Sequence, residues 1–340
     1  MTPVERAYGH SAECPTLAPR LCPPDRPPMH VLLNRPLPPV GLERLERIAP
    51  AATFRHETRA DAIAPLLDWA DVVYGNVPAR TLAGRPRLRW LQIVSSGFDD
   101  YAALAGGPVT VTTAHGVHAA AIAQQVLMAM LMFARGQLHF GECQRQRRWD
   151  RNPAIPFLLR GQTLGLIGYG AVGQHLAAPA TLLGMRIAAV RRHAGECPPG
   201  LASVSDLGGL DELLASSDHL VVTLPLTPAT RGLLDAERVR RVKSGAHVYN
   251  VGRGGIVDEA ALLARLEDGS LGGAAMDVFA AEPLPPESPW WSAPRTIISP
   301  HIAGHHRDLA ADVFEVFADN LVRFVAGRPL CHVADFGRGY

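Results

Sequence analysis

The sequence predicts an α/β protein built on parallel sheets, and three observations predict it. Short apolar runs alternate with segments of helical periodicity from Met29 to Ile298, the pattern of strands joined by crossover helices. One run, Thr163 to Ile167, leads into Gly168-Tyr169-Gly170-Ala171-Val172-Gly173, a G-x-G-x-x-G between a strand and a helix. At 340 residues the chain has room for two domains.

Composition narrows the class. The net charge of +1 points to neither nucleic acid nor an acidic membrane surface as partner. Charged residues at 19% and hydrophobic ones at 47% suit a globular protein with sizeable cores. The five cysteines are scattered with no C-x-x-C pair, which points to a reduced, cytoplasmic setting. Nothing in the pattern resembles a signal peptide, and no run is apolar enough to span a bilayer. No metal-ligand spacing stands out.

In order, residues 1–28 are rich in proline and polar residues and read as a flexible extension. Met29 to Leu33 is a strand, Val40 to Ile48 a helix, Ala51 to Arg55 a strand, and Asp61 to Trp69 a helix. Asp71 to Tyr74 is a strand ending at Gly75-Asn76-Val77-Pro78. Thr81 to Leu88 is a helix and turn, and Leu91 to Val94 a strand ending at Ser95-Ser96-Gly97. Exposed N–H groups at Ser96 and Gly97 suit a carboxylate, with a plain turn as the simpler reading. Val109 to Thr113 is a strand and Gly116 to Arg135 a long, alanine-rich buried helix. Gly136 to Arg160 is a polar, basic arm.

The glycine loop then opens a β-α-β unit: strand, helix from Ala171 to Leu183, and strand from Met185 to Val190. Its first glycine makes the tight turn, the second admits a pyrophosphate to the backbone, and the third packs helix on strand. The helix N-terminus offers unpaired N–H groups to phosphate. An acidic residue at the end of the second strand usually holds the ribose 2′-hydroxyl. Here Arg191 and Arg192 stand there, a cationic pair suited to a 2′-phosphate. The alternative is a solvated strand end.

Four further strands follow: His219 to Leu224, Ala246 to Asn250, Gly273 to Val278 and Thr296 to Ile298, with helices at Leu210 to Ala215, Ala236 to Val242, Asp258 to Glu267 and Asp308 to Val325. The later strand ends carry reactive side chains. Arg253 lies among glycines, which leave space around a fork that fits a carboxylate. Asp277 is an acid in a buried run. Glu282 and His301 follow, and a carboxylate beside an imidazole orients it and favours its protonated form, a general acid/base near neutrality. Each also has an ordinary reading as a solvated or structural residue.

The chain from about Met29 to Tyr340 resembles the D-isomer-specific 2-hydroxyacid dehydrogenase family. The residues carrying the resemblance are Gly168 to Gly173, Leu224 to Asp235 (LPLTPATRGLLD), Asn250 to Leu262 (NVGRGGIVDEAAL), Ala274 to Pro285 (AAMDVFAAEPLP) and Ser299 to Gly304 (SPHIAG). The resemblance implies two Rossmann-like doubly wound parallel-sheet domains with the active site in the cleft between them. Residues 29–115 with 305–340 form a split substrate-binding domain, and 116–304 the dinucleotide-binding domain. It assigns catalysis to Arg253, Glu282 and His301, and substrate binding to Arg253, Asn76, Ser96 and Gly97. To the cofactor it assigns Gly168, Tyr169, Gly170, Ala171, Val172, Gly173, Leu224, Pro225, Thr230, Val251, Gly252, Asp277, His301 and Gly304, beside Arg191 and Arg192.

The expected function is NAD(P)-dependent transfer of hydride between cofactor and a small 2-oxoacid or D-2-hydroxyacid, of the glyoxylate or hydroxypyruvate type. The arginines favour NADP(H), with NAD(H) as second cofactor. A homodimer through the cofactor domain is implied. The alternative is a dinucleotide-sensing, corepressor-like protein on the same fold. A methyltransferase using the glycine loop has no use for the Arg253, Glu282 and His301 set.

Overall fold

The computed structural model describes residues 28–151 and 156–339. Apart from Pro28, the expected N-terminal extension lies outside them. The chain forms two compact units, one of the residues up to His118 with those from His306 on, the other Ala119–His305.

In the first unit five parallel strands, β1 (His30–Leu33), β2 (Thr53–His56), β3 (Val72–Tyr74), β4 (Trp90–Gln92) and β5 (Thr110–Thr112), stand in the order β2-β1-β3-β4-β5. Helices α1 (Gly41–Ile48), α2 (Ala60–Leu67) and α3 (Ala79–Leu82) connect the early strands. The chain winds outward from β1 in both directions, the doubly wound arrangement with a switch point beside its first strand. α3 is shorter than the helix expected over Thr81 to Leu88 because Gly84 turns at φ 75°.

In the second unit, α4 (Ala119–Ala134) and α5 (Gln137–Arg145) precede the glycine-loop strand. Seven parallel strands follow, in the order β12-β11-β10-β9-β6-β7-β8. They are β6 (Thr163–Ile167), β7 (Arg186–Val190), β8 (Ser203–Ser205), β9 (His219–Val222), β10 (His247–Asn250), β11 (Gly273–Met276) and β12 (Thr296–Ile298). α6 (Ala171–Leu182), α7 (Leu210–Ser216), α8 (Ala236–Arg241) and α9 (Glu259–Glu267) join them, and α10 (Leu309–Val325) closes the chain in the first unit. The switch point lies between β6 and β9, which pair directly.

Both faces of this sheet are covered, as parallel sheets require. Alternate residues separate cleanly: Val222, Val248 and Met276 enter one core, Val221, Tyr249 and Ala275 the other. Each fully buried Val or Leu adds roughly 1.5–3 kcal/mol. Polar termini are fixed locally, with Asp235 and Asp258 accepting the N–H of Arg238 and Ala261 at 2.9 Å as helix caps.

The structure departs from the sequence reading in a few places. The long helix starts at Ala119, not Gly116, whose φ of 84° is left-handed. Part of the polar arm is helical (α5), and β8 is a strand that the sequence reading missed. Among the described residues, Cys143 and Cys197 are free thiols. Among the described residues no single helix is long and apolar enough to cross a membrane.

Candidate active site

Every candidate residue in the second unit lies at the carboxyl end of a strand in one parallel sheet, where ligands of such sheets bind. The glycine loop joins β6 to α6, and its three glycines answer to different causes. Gly168 has φ 105°, and a Cβ there would stand 2.6 Å from Thr223 Oγ1. At Gly173 a Cβ would meet the Gly168 carbonyl oxygen at 3.0 Å. Gly170 is different. Its backbone is extended (φ −94°, ψ −155°), and a Cβ would meet nothing within 4 Å. The chain itself does not need glycine at this position. A pyrophosphate approaching the backbone does, so this loop fits a dinucleotide.

Tyr169, Ala171 and Val172 complete the turn. Leu224, Pro225 and Thr230 form the loop after β9. The Thr230 hydroxyl donates to Pro225 O at 2.6 Å and accepts from Thr227 N at 2.8 Å, so this side chain shapes the loop from within. At the end of β7 the two arginines part company. Arg191 Nε donates to Ala194 O at 2.7 Å and Nη2 to Glu196 O at 2.9 Å, which braces the following loop. Arg192 is the exposed member.

After β10, buried Asn250 fixes the next loop: its amide donates to Arg253 O at 3.1 Å and its Oδ1 accepts from Gly252 N at 3.2 Å. Val251 and Gly252 lead into Arg253, where Gly252 passes so close that a Cβ would be 2.7 Å from Leu224 O. Arg253 Nη1 donates to Gly252 O at 2.8 Å, which orients the fork from its own loop. A Cβ at Gly254 would stand 1.9 Å from the Phe279 carbonyl carbon. The Arg253 loop is therefore packed directly on the turn that carries Glu282.

That turn brings a carboxylate and an imidazole together. Glu282 Oε1 accepts the Phe279 N–H at 2.9 Å, and Oε2 lies 2.8 Å from His301 Nδ1. The other ring nitrogen, Nε2, hydrogen-bonds to no described residue. With Nδ1–H held by the carboxylate, Nε2 is the atom from which a proton can be exchanged. His301 itself sits at φ 52°, a left-handed conformation that costs a non-glycine residue roughly 1–2 kcal/mol. Asp277 over-determines it. The Asp277 carbonyl accepts the His301 N–H at 2.8 Å. Its carboxylate accepts Ser299 Oγ–H at 2.6 Å and the Ile302 and Ala303 N–H groups at 3.0 Å. Asp277 thus holds the Ser299–Gly304 loop from inside, and its carboxylate is already committed there.

Two residues the sequence reading passed over belong to this arrangement. Ser299 bridges Asp277 and Gln125, whose Nε2 lies 3.4 Å from its hydroxyl. Glu259 accepts the Ala280 N–H at 2.6 Å, next to the N–H taken by Glu282. Burial raises the Glu259 pKa, the Ala280 N–H works against that, and the nearby Glu282 charge adds to it. The signal was the acid following the helix cap in Val257-Asp258-Glu259.

In the first unit, Asn76 Oδ1 accepts the Val94 N–H at 2.9 Å and so ties the end of β3 to the loop after β4. Ser95 Oγ donates to Gly97 O at 2.9 Å, and Ser96 Oγ to Ala114 O at 3.0 Å. The backbone N–H groups of Ser96 and Gly97 donate to no described residue, which suits an anion-binding turn.

Comparison with known proteins decides the family. Residues 127–303 match the family model described as the NAD-binding domain of D-isomer-specific 2-hydroxyacid dehydrogenases. A glycerate dehydrogenase from Methylorubrum extorquens is 30% identical over 84% of this chain and 95% of its own. The chain belongs to the D-isomer-specific 2-hydroxyacid dehydrogenase family. It is a nicotinamide-dependent oxidoreductase of that class. A family protein of known structure from Aeromonas salmonicida shares 32% identity at a TM-score of 0.78, over 91% of this chain and 99% of the other. An NADPH-dependent glyoxylate/hydroxypyruvate reductase from Sinorhizobium meliloti, solved with NADP and sulfate, shares 28% at 0.79, over 92% and 100%.

Proposed function

We propose that this dehydrogenase is an NADP(H)-preferring reductase of small 2-oxoacids of the glyoxylate or hydroxypyruvate type. The observation that carries the reading is the Glu282–His301 pair at 2.8 Å with Nε2 uncommitted, on the sheet edge that also holds Arg253 and the glycine loop. The Sinorhizobium reductase supports the substrate class by its named activity, and its NADP complex supports the cofactor. The absence of an acid at the end of β7, with Arg192 exposed beside it, supports the 2′-phosphate.

When bound, the nicotinamide dinucleotide supplies the reducing equivalent. The remaining work falls to the chain. Gly170 and the α6 N-terminus receive the pyrophosphate. Arg253 fixes the substrate carboxylate with its planar fork, which orients the adjacent carbonyl. The Ser96 and Gly97 N–H groups, with Asn76 bracing their loop, are assigned to a substrate carboxylate. His301 Nε2 gives its proton to the carbonyl oxygen as the alcohol forms. Glu282 holds Nδ1–H and fixes the orientation of the ring. In the oxidative direction neutral His301 takes the proton back.

The family's usual homodimer through the cofactor domain is part of this reading. Exposed apolar Met128, Leu131 and Leu182 on α4 and α6 support it. Turnover of a panel of 2-oxoacids with NADPH and with NADH tests the function. Glyoxylate or hydroxypyruvate should lead, with higher kcat/KM for NADPH. Faster turnover of a different acid class, or with NADH, would overturn the corresponding half of the reading.

A further inference from the structure

We propose that the arm after α4 carries a zinc site, formed by His139, Cys143 and Asp150. His139 and Cys143 are one helical turn apart on α5, so their side chains share a face. The chain then reverses through Arg147, a non-glycine residue at φ 54°, and the Arg148 N–H closes the turn on Cys143 O at 2.9 Å. That reversal returns Asp150 to the same face. His139 Nε2 lies 3.1 Å from Cys143 Sγ and 3.6 Å from Asp150 Oδ2. All three donor atoms fall within 4.8 Å of one another.

The His139–Cys143 and His139–Asp150 separations match a shared ion. Zinc bonds of about 2.0–2.3 Å to nitrogen, oxygen and sulfur at tetrahedral angles put neighbouring donors about 3.3–3.5 Å apart. One His nitrogen faces both other donors. In a proton relay the acid and the thiol would engage opposite ring nitrogens, so the convergence is that of ligands around a point. A mixed imidazole, thiolate and carboxylate set suits zinc, and a hard cation such as magnesium has no use for the sulfur. Cys143 is 4% exposed and the other two ligands are partly buried, so the bonds form away from bulk water.

The place of a cation is marked by Arg148. Its Nη2 lies 3.4 Å from Cys143 Sγ and 3.6 Å from Asp150 Oδ2. The Arg148 side chain is 53% exposed and free to swing into solvent as the ion enters. Zinc binding then forms one bond each to Sγ, Nε2 and Oδ2, releases the Cys143 thiol proton to solvent, and leaves the fourth position to water. Such an ion would cross-link α5 to the chain beyond it, in a segment with no part in the proposed chemistry. The sequence reading expected no metal, because a helical His-x-x-x-Cys with a lone later Asp has no distinctive spacing.

The test uses the full chain, stripped with a chelator and titrated with zinc against a competing chromophoric chelator, then with cobalt. The wild type should hold one zinc per chain and give a thiolate-to-cobalt charge-transfer band. Cys143→Ser and His139→Ala should each weaken binding by more than roughly a hundredfold, above the cost of losing an outer-shell partner. Arg148→Ala, which leaves all three ligands, should bind at least as tightly as wild type. No charge-transfer band in the wild type, or zinc retained at full affinity by Cys143→Ser, overturns the site. The cobalt spectrum of the wild type decides even if a ligand variant fails to fold, and neither result bears on the reductase reading.

Discussion

Asp277 holds His301 twice over: its carbonyl accepts the His301 N–H at 2.8 Å, and its carboxylate accepts three donors from the loop on which His301 stands. Asp277→Asn keeps the shape but turns an amide N–H₂ toward a backbone N–H. One buried donor is then left facing another donor, at roughly 1–3 kcal/mol. Urea denaturation should show that loss of stability. The proposed kcat should fall by about tenfold or more, because a misplacement of about 1 Å at the reacting group is costly. An unchanged kcat at reduced stability would confine Asp277 to the fold.

Gly170 and Gly254 separate ligand from fold. Gly170→Ala puts a methyl into open space in an ordinary backbone conformation, so stability should stay within about 0.5 kcal/mol. NADPH affinity, read by fluorescence titration, should nevertheless drop more than about tenfold, or roughly 1.4 kcal/mol. Gly254→Ala drives a methyl into the Phe279–Ala280 peptide and should cost about 1–3 kcal/mol or more in thermal unfolding. Full cofactor affinity in Gly170→Ala would remove the pyrophosphate from this loop.

The arginines after β7 should also behave differently. Arg192→Ser should lower the ratio of kcat/KM for NADPH over NADH with little effect on stability. Arg191→Ser should loosen the loop whose Ala194 and Glu196 carbonyls it braces. Steady-state kinetics with both cofactors checks this. A ratio unmoved by Arg192→Ser would place cofactor preference elsewhere.

Acid should weaken the second unit through two stacked histidines at the amino ends of β9 and β10. The His219 and His247 rings lie 5.2 Å apart, and His219 contacts Tyr249 and Gln162 through its two nitrogens. Burial lowers the His219 pKa to about 3, helped by neighbouring His247, and burial lowers that of His247 to about 4. In the unfolded chain both titrate near 6.5. Below that pH the unfolded state takes up protons that the native state refuses, so stability is full above about 6.5 and falls toward pH 4, by up to about 3 kcal/mol per pH unit for the pair. Denaturation midpoints measured from pH 7.5 to 4.5 should follow that slope, and His247→Phe should remove about half of it. An unchanged slope in that variant would exclude the pair as its source.

Much of this arrangement was legible in the sequence, and for identifiable reasons. Gly168 to Gly173, the glycines around Arg253, and Ser299 to Gly304 carry short motifs whose residue types are set by local backbone chemistry. Parallel strands buried on both faces read as apolar runs. β8 escaped because Ser203-Val204-Ser205 is a short, polar edge strand paired only with β7. α5 escaped because the apolar residues of Gln137 to Arg145, Leu138, Phe140 and Cys143, are few and not all at helical spacing. Residue roles that depend on three-dimensional partners were the least visible. Asp277 reads as a cofactor contact, and the loop it also anchors shows only in three dimensions. Arg191 reads as half of a phosphate clamp, and its bracing of its own strand end shows only there too. Glu259, far from Glu282 in sequence, meets it only at the Phe279–Ala280 turn.

The central claim is that His301, held by Glu282, protonates a 2-oxoacid carbonyl. NADPH oxidation with glyoxylate and hydroxypyruvate, compared between wild type and His301→Ala, tests it most directly. The wild type should turn over, and the variant should lose roughly two to four orders of magnitude in kcat with unchanged NADPH affinity. Near-normal turnover by His301→Ala, or none by the wild type with any 2-oxoacid, would contradict it.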